Sequence, residues 1–199
     1  MARYGFDQSS RDASGNGNDA AVLGHPTYGV GPGGVRALVL DGVNDSLRLP
    51  AGSVDSKELT VALWVYPQAA AQWARLFDFG NDETQYFFLT AQSSERTLRL
   101  AARNGAGEIT LDAPGLPENR WSHVAVTLSG MTAKLFVNGK LVATKDDWSI
   151  KPADFKPIFN YIGKSQFAVD PMLRGRVADL RVYNYALPAE DVAALTKAK

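Results

Sequence analysis

The segment Lys134-Leu-Phe-Val-Asn-Gly-Lys-Leu-Val-Ala143 decides how this chain folds. Asn138-Gly139 tolerates positive φ at both central positions of a type I′ turn, whose twist matches that of the strands it joins. Apolar residues flank the pair on both sides, so the segment reads as an antiparallel hairpin. Upstream, Ser122, Val124, Val126 and Leu128 share one face, and Trp121, His123, Ala125 and Thr127 share the other. That is the period of a strand. In Glu58–Pro67, Leu59, Val61, Leu63 and Val65 alternate with Thr60, Ala62, Trp64 and Tyr66. Both faces are largely apolar, which predicts a central strand covered on both sides. Shorter alternations surround Asp41-Gly42, Asp78 and Arg99. Turn clusters at Asn16-Gly17-Asn18, Gly31-Pro-Gly-Gly34, Asn104-Gly105, Pro114-Gly115 and Ser129-Gly130 separate these runs. Many short strands so punctuated predict an all-β fold, an antiparallel β-sandwich. Only the tail reads helical. Pro188 can start a helix near Ala189–Thr196, Glu190 and Asp191 suit its positive end, and Lys197 and Lys199 suit its negative end.

A chain of 199 residues fits one sandwich domain over 1–199, and such a chain buries roughly 70% of its unfolded surface without a staple. With 21 basic and 21 acidic residues, it lacks the basic excess of a nucleic-acid binder. No apolar run approaches the length of a membrane span. The absence of cysteine excludes thiol nucleophiles, thiolate zinc sites and iron–sulfur clusters. Met1-Ala-Arg-Tyr-Gly5 carries no apolar leader segment. The expected setting is a module of a longer secreted protein, extracellular, periplasmic or at the cell surface.

Enzyme motifs are scarce. Glu108 and Asp112 fall on one face of a short strand, the nearest approach to a glycosidase carboxylate pair. The acidic residue between such a pair is missing. There is no Gly-x-Ser-x-Gly elbow and no His-Glu-x-x-His, and no Gly-x-Gly-x-x-Gly leads from a strand into a helix. Trp64 and Trp121 are expected in the core, His123 as a buried structural histidine, and His25 as incidental.

Asp12, Ser14, Asn16 and Gly17 have the one-three-five-six spacing of a calcium loop. The twelfth position is Leu23 rather than Glu and no helices flank the loop, which excludes a helix–loop–helix calcium motif. The loop could still wrap a calcium completed by distant strands. Alternatively, Asp12-Ala-Ser-Gly is an Asx-type turn and Asp7 a strand-end cap.

Several motifs, in order along nearly the whole chain, resemble laminin-G-like domains of the concanavalin A-like lectin/glucanase superfamily. They are Tyr4-Gly-Phe-Asp7, Asp12-Ala-Ser-Gly-Asn-Gly-Asn18, Ala37-Leu-Val-Leu-Asp-Gly42, Leu59-Thr-Val-Ala-Leu-Trp-Val65, Trp121-Ser-His-Val-Ala-Val126 and Gly175-Arg-Val-Ala-Asp-Leu-Arg-Val-Tyr-Asn-Tyr-Ala-Leu187. Leu76-Phe-Asp-Phe-Gly-Asn81 and Asn160-Tyr-Ile-Gly-Lys-Ser-Gln166 resemble a narrower group attached to bacterial arabinan- and arabinoside-degrading glycoside hydrolases. The resemblance implies a jelly-roll sandwich and a non-catalytic carbohydrate-binding or accessory role beside a catalytic domain. Its partners would be a polysaccharide or oligosaccharide, arabinose-containing if the narrower resemblance carries over, with neither nucleic acid nor membrane.

It also implies a structural Ca2+ between the first and last strands, held by Asp7, Asp12, backbone oxygens of Gly15, Asn16 and Asn18, and Asp179. Ala178 departs from the family pattern, which often carries a second Asp there. The implied sugar surface combines Asp78, Asn81, Asn160 and Gln166 with aromatic platforms drawn from Trp73, Tyr86 and Trp148. Sugar rings present an apolar CH face and a hydroxyl rim, so binders pair aromatic rings with planar polar groups. The alternatives are a structural domain packed on a catalytic one, or a protein-binding adhesion module.

Overall fold

The structure is a computed structural model that describes residues 1–69 and 71–197. Along the chain run β1 (Ala2–Tyr4), β2 (Ala21–Leu23), β3 (Thr27–Val30), β4 (Arg36–Asp41), β5 (Ser46–Leu49), β6 (Leu59–Pro67), β7 (Arg75–Asp82) and β8 (Gln85–Thr90). They are followed by β9 (Thr97–Asn104), β10 (Glu108–Pro114), β11 (Ser122–Ser129), β12 (Thr132–Val137), β13 (Lys140–Lys145), α1 (Pro152–Phe155), β14 (Phe159–Ile162), β15 (Arg174–Tyr183) and α2 (Ala189–Leu195). One sheet has the order β13-β12-β11-β6-β15-β4-β3, with β1 also on β15. The other has the order β10-β9-β8-β7-β14-β5-β2. All pairings are antiparallel. The expected all-β sandwich with a short C-terminal helix is what forms.

The hairpin forms where its turn chemistry puts it. Val137 faces Lys140, and Asn138 and Gly139 have φ of 51° and 75°. β6 is central, between β11 and β15. Its Leu59, Val61, Leu63 and Val65 meet Phe77, Phe79, Phe87 and Leu89 of the opposite sheet in the main core. Ala62 on its other face packs with Ala125 and Phe136 under Leu187 and Val192, so α2 closes that side. Lys199 lies outside the described residues. α1 is a helix the sequence reading did not expect. One turn is too short to show a helical period, and Asp154 holds it by accepting from Lys151 N.

Three tryptophans depart from expectation. Trp148, read as an exposed loop residue, is 0% exposed and meets Phe87 edge-on at 6.4 Å. Its backbone N–H donates to Met131 O, which draws the segment after β13 back over the core. Trp64 and Trp121 are half-buried on the outer face of the eight-stranded sheet, not in the core. There Trp64 packs edge-on against His123 at 5.3 Å, and Trp121 packs against Tyr66 at 5.5 Å. His123 is buried as expected, and burial lowers its pKa to about 4, which keeps it neutral.

Candidate sugar-binding site

The first and last strands lie side by side, with Ala2 opposite Val182 and Tyr4 opposite Leu180. The two carboxylates expected at the heart of a calcium site there, Asp12 and Asp179, are otherwise engaged. Asp12 Oδ1 accepts from Arg3 N at 2.9 Å and Ser14 N at 2.8 Å, and Oδ2 accepts from Asn18 N at 3.1 Å. These backbone donors outweigh desolvation and bring its pKa down to about 2. The side-chain amides of Asn16 and Asn18 and the Ser14 hydroxyl all donate to Met1 O. Gly15 is exposed, and Asp7 is exposed in the bend after β1. Asp179 is clamped by two guanidinium groups, Arg3 Nε at 3.1 Å and Arg181 Nη2 at 2.6 Å.

This donor set does not fit Ca2+, which needs convergent free oxygens. The loop instead aims N–H groups at oxygens, and cations already face the last-strand carboxylate. Among the described residues no three His, Cys, Asp or Glu side chains gather where they could hold a metal ion. Arg3 takes the place assigned to the ion, with its backbone N–H on Asp12 and its side chain on Asp179. A bulge between Ala178 and Arg181 explains how Asp179 reaches the Arg3 side. The extra residue interrupts strict alternation, and Asp179 sits there at φ 44°.

The outer face of the seven-stranded sheet is different. Phe77 and Phe79 point inward, and Asp78 points outward opposite Phe88 and Tyr161. In a regular strand Arg75 and Asp78 would face opposite ways. A register shift between Arg75 and Phe77 inserts one residue and brings both to the outer face. Arg75 lies flat on Phe88, with its guanidinium carbon 3.7 Å from the ring centre. Its Nε reaches Asp78 Oδ2 at 3.4 Å, Nη1 donates to Trp73 O at 2.7 Å, and Nη2 meets Asp170 Oδ2 at 2.8 Å.

The segment after β14 folds over Asp78. Gln166 N donates to Asp78 Oδ2 at 3.0 Å, and the Ser165 hydroxyl bonds both Asp78 and Asp170. Gly80 allows this approach, because a Cβ there would stand 3.1 Å from Gln166 Cγ. Asp78 is thus fully buried, with Oδ1 lacking a partner. Burial raises its pKa to about 7 against the opposing pull of Arg75.

Beside this cluster opens a pocket of about 210 Å3, lined by Trp73, Arg75, Tyr86, Phe88, Phe167, Glu108 and Asp170. Tyr86 donates to Glu108 at 2.6 Å and packs edge-on against Phe167 at 5.6 Å. Burial and that hydrogen bond push the Tyr86 hydroxyl pKa well up, so it remains a donor. Trp73 holds φ of 68°, a conformation that costs an L-residue roughly 1–2 kcal/mol. Its N–H donates to Gln92 O, and its carbonyl accepts from Arg75.

Of the seven residues expected at a sugar surface, Trp73 and Tyr86 line this pocket. Asn160 turns inward beside Phe79 and Leu49, is 0% exposed, and donates to Pro50 O and Pro157 O. A strand-period argument cannot place it outward, so its assignment to the surface is corrected, like that of Trp148. Asn81 ties the chain after α1 to β7, donating to Phe155 O and accepting from Ile158 N. Gln166 donates to Phe159 O. Both border a second cleft of about 590 Å3, beside Phe159, Tyr161 and Lys164, but as supports. Asp78 supports the pocket from below and does not line it.

Arg75, Phe88, Glu108, Phe167 and Asp170 were missed. The alternation of Tyr86 with Phe88 was the available signal for Phe88. Nothing local announced Arg75, which depends on the bulge. Glu108 and Asp112, four residues apart on β10, are separated by about 13 Å along the strand. Asp112 is held by Arg99 at 2.8 and 2.9 Å.

The family pattern described as the concanavalin A-like lectin/glucanases superfamily matches residues 41–193. Domain 4 of AbnA, a GH43 extracellular arabinanase from Geobacillus stearothermophilus solved in complex with arabinotriose, has a similar structure. Its TM-score is 0.83 at 24% identity, over 98% of this chain and 97% of that one. The CBM40 of the Ruminococcus gnavus IT-sialidase gives a TM-score of 0.63 at 22% identity, over 72% and 84% of the two chains. At such identities the likeness speaks for the fold. An alpha-L-arabinofuranosidase of Bifidobacterium longum subsp. longum is 32% identical over 69 residues, 35% of this chain and 6% of that protein's length. With the pattern matched from β4 through α2 and the sandwich formed as that pattern requires, the chain belongs to the laminin-G-like part of the concanavalin A-like lectin/glucanases superfamily.

Proposed function

We propose that this chain is a non-catalytic carbohydrate-binding module. In this reading it serves a secreted polysaccharide-degrading enzyme and holds an arabinose-containing oligosaccharide on the outer face of the seven-stranded sheet. The observation that carries the reading is the pocket itself. Four aromatic side chains, Trp73, Tyr86, Phe88 and Phe167, stand around two carboxylates, Glu108 and Asp170. Rings stack on sugar CH faces, and carboxylates accept from hydroxyls. The likeness to a domain solved with arabinotriose supports arabinose as the first sugar to try. The separation of Glu108 and Asp112 supports a non-catalytic role, because hydrolytic pairs stand about 5–9.5 Å apart.

Calorimetry with arabinan tests the reading. The expected Kd lies between about micromolar and millimolar, equivalent to roughly −8 to −4 kcal/mol, and Trp73→Ala weakens it at least tenfold. An absence of binding to arabinan and to other plant polysaccharides would move the assignment to the second reading, a domain that packs on a catalytic partner. That reading is favoured by an adjoining cleft, sharing Phe167 and Asp170 with the pocket, where Val43, Ala168, Pro171 and Met172 form an apolar wall; Val43 is 73% exposed and nearby Val169 92%.

A further inference from the structure

Resting on the sugar-binding reading, the geometry points to a narrower ligand: the pocket takes a single neutral sugar ring, and it rejects acidic sugars. Size gives the first half. At about 210 Å3 the cavity is smaller than the roughly 300–1,000 Å3 of sites for drug-sized ligands. It has room for one ring rather than for a run of them. Its floor, the stacked Arg75–Phe88 pair, is buried, so the ring it holds lies above that pair.

Charge gives the second half. The groups that face the cavity with free acceptor capacity are the carboxylates of Glu108 and Asp170. The cation in its lining is already engaged, and two more stand outside it. Arg75 has all three nitrogens on Asp78, Trp73 O and Asp170. Arg99, beside Trp73, is held in two-pronged fashion by Asp112. Arg103 donates to Gly105 O and lies across the strand pair from Glu108. Inside the cavity a ligand carboxylate would meet two like charges and an arginine already paired with carboxylates, whereas hydroxyls would find acceptors.

Calorimetry should compare arabinobiose, arabinotriose and arabinotetraose with galacturonic acid oligomers of the same lengths. We expect the neutral series to bind with affinities within about threefold of one another, and the acidic series to show no heat. Phe167→Ala, which removes a half-buried ring from the lining, should weaken the neutral series at least tenfold while thermal melting still shows a folded domain. Affinity that climbs about tenfold with each added residue would overturn the single-ring assignment. Equal binding of the acidic oligomers would overturn the charge argument. Both of those results leave sugar binding intact, whereas silence from every neutral and acidic oligomer would defeat the sugar-binding reading itself.

Discussion

The loop after β1 and the loop after β14 are each organised by one aspartate, and the two aspartates end in opposite states. Asp12 receives three backbone N–H groups at the partly exposed start of the chain, and its carboxylate is stabilised as an anion, with a pKa of about 2. Asp78 is sealed under Ser165 and Gln166 with one oxygen unpartnered, and burial raises its pKa to about 7. In the first loop the aspartate oxygens face N–H groups of their own chain. The second is strained toward its neighbour Arg75 and borders an open cavity. Acidic residues in Gly-rich loops invite a metal reading, but what decides is whether their oxygens are already bonded.

The largest effect should come from the centre of the second loop. Arg75→Met leaves Asp78 and Asp170 without their cation, and loss of one partner from a buried pair costs about 3–5 kcal/mol. Urea unfolding at pH 8 measures this, and a loss below about 1 kcal/mol would mean the cluster contributes little. In the first loop, Asp12→Ala removes a charged acceptor from three backbone donors that remain close to water. A loss of about 1–3 kcal/mol is expected in the same assay. If Asp12→Ala were the more damaging change, the contrast between the loops would be reversed.

The third test reads a slope. Asp78 holds a proton in the folded chain that the unfolded chain releases near 3.8. Its contribution to stability is therefore complete below about pH 4 and lost as the pH rises to about 7. His123, lowered from 6.5 to about 4, acts in the opposite sense, with its contribution complete above 6.5 and lost as the pH falls. The two oppose each other between pH 4 and 6.5. Asp78→Asn should make stability climb more steeply with pH across that window, as followed by urea midpoints. Superposable profiles would show that Asp78 ionises normally. The smallest effect is expected from chelation. EDTA should leave the melting temperature unmoved, because a ligand bound only to the native state must stabilise it. A drop on chelation, restored by Ca2+, would reopen the first loop as a metal centre.

Much of the frame was legible from residue order. Asn138-Gly139 fixed a hairpin, and the alternation through β6 and β11 gave central strands with the right faces inward. The short alternation around Asp78 also formed, with Phe77 and Phe79 in the core and Asp78 facing outward. Its burial was not legible, because the cover comes from Ser165 and Gln166, far along the chain. Trp148 followed two aspartates and looked exposed, yet the segment after β13 turns it into the core. Asn160 sat in a family-like motif and faced inward because of its register with Phe79.

Local chemistry thus determined the element type, the turns and the family, since turn preference and period-2 patterning act within a few residues. Only the tertiary structure decided the site. The bulge at β7 that swings Arg75 beside Asp78, the strained backbone at Trp73, and the loop that closes over both depend on partners distant in sequence. No period within one strand encodes such partners.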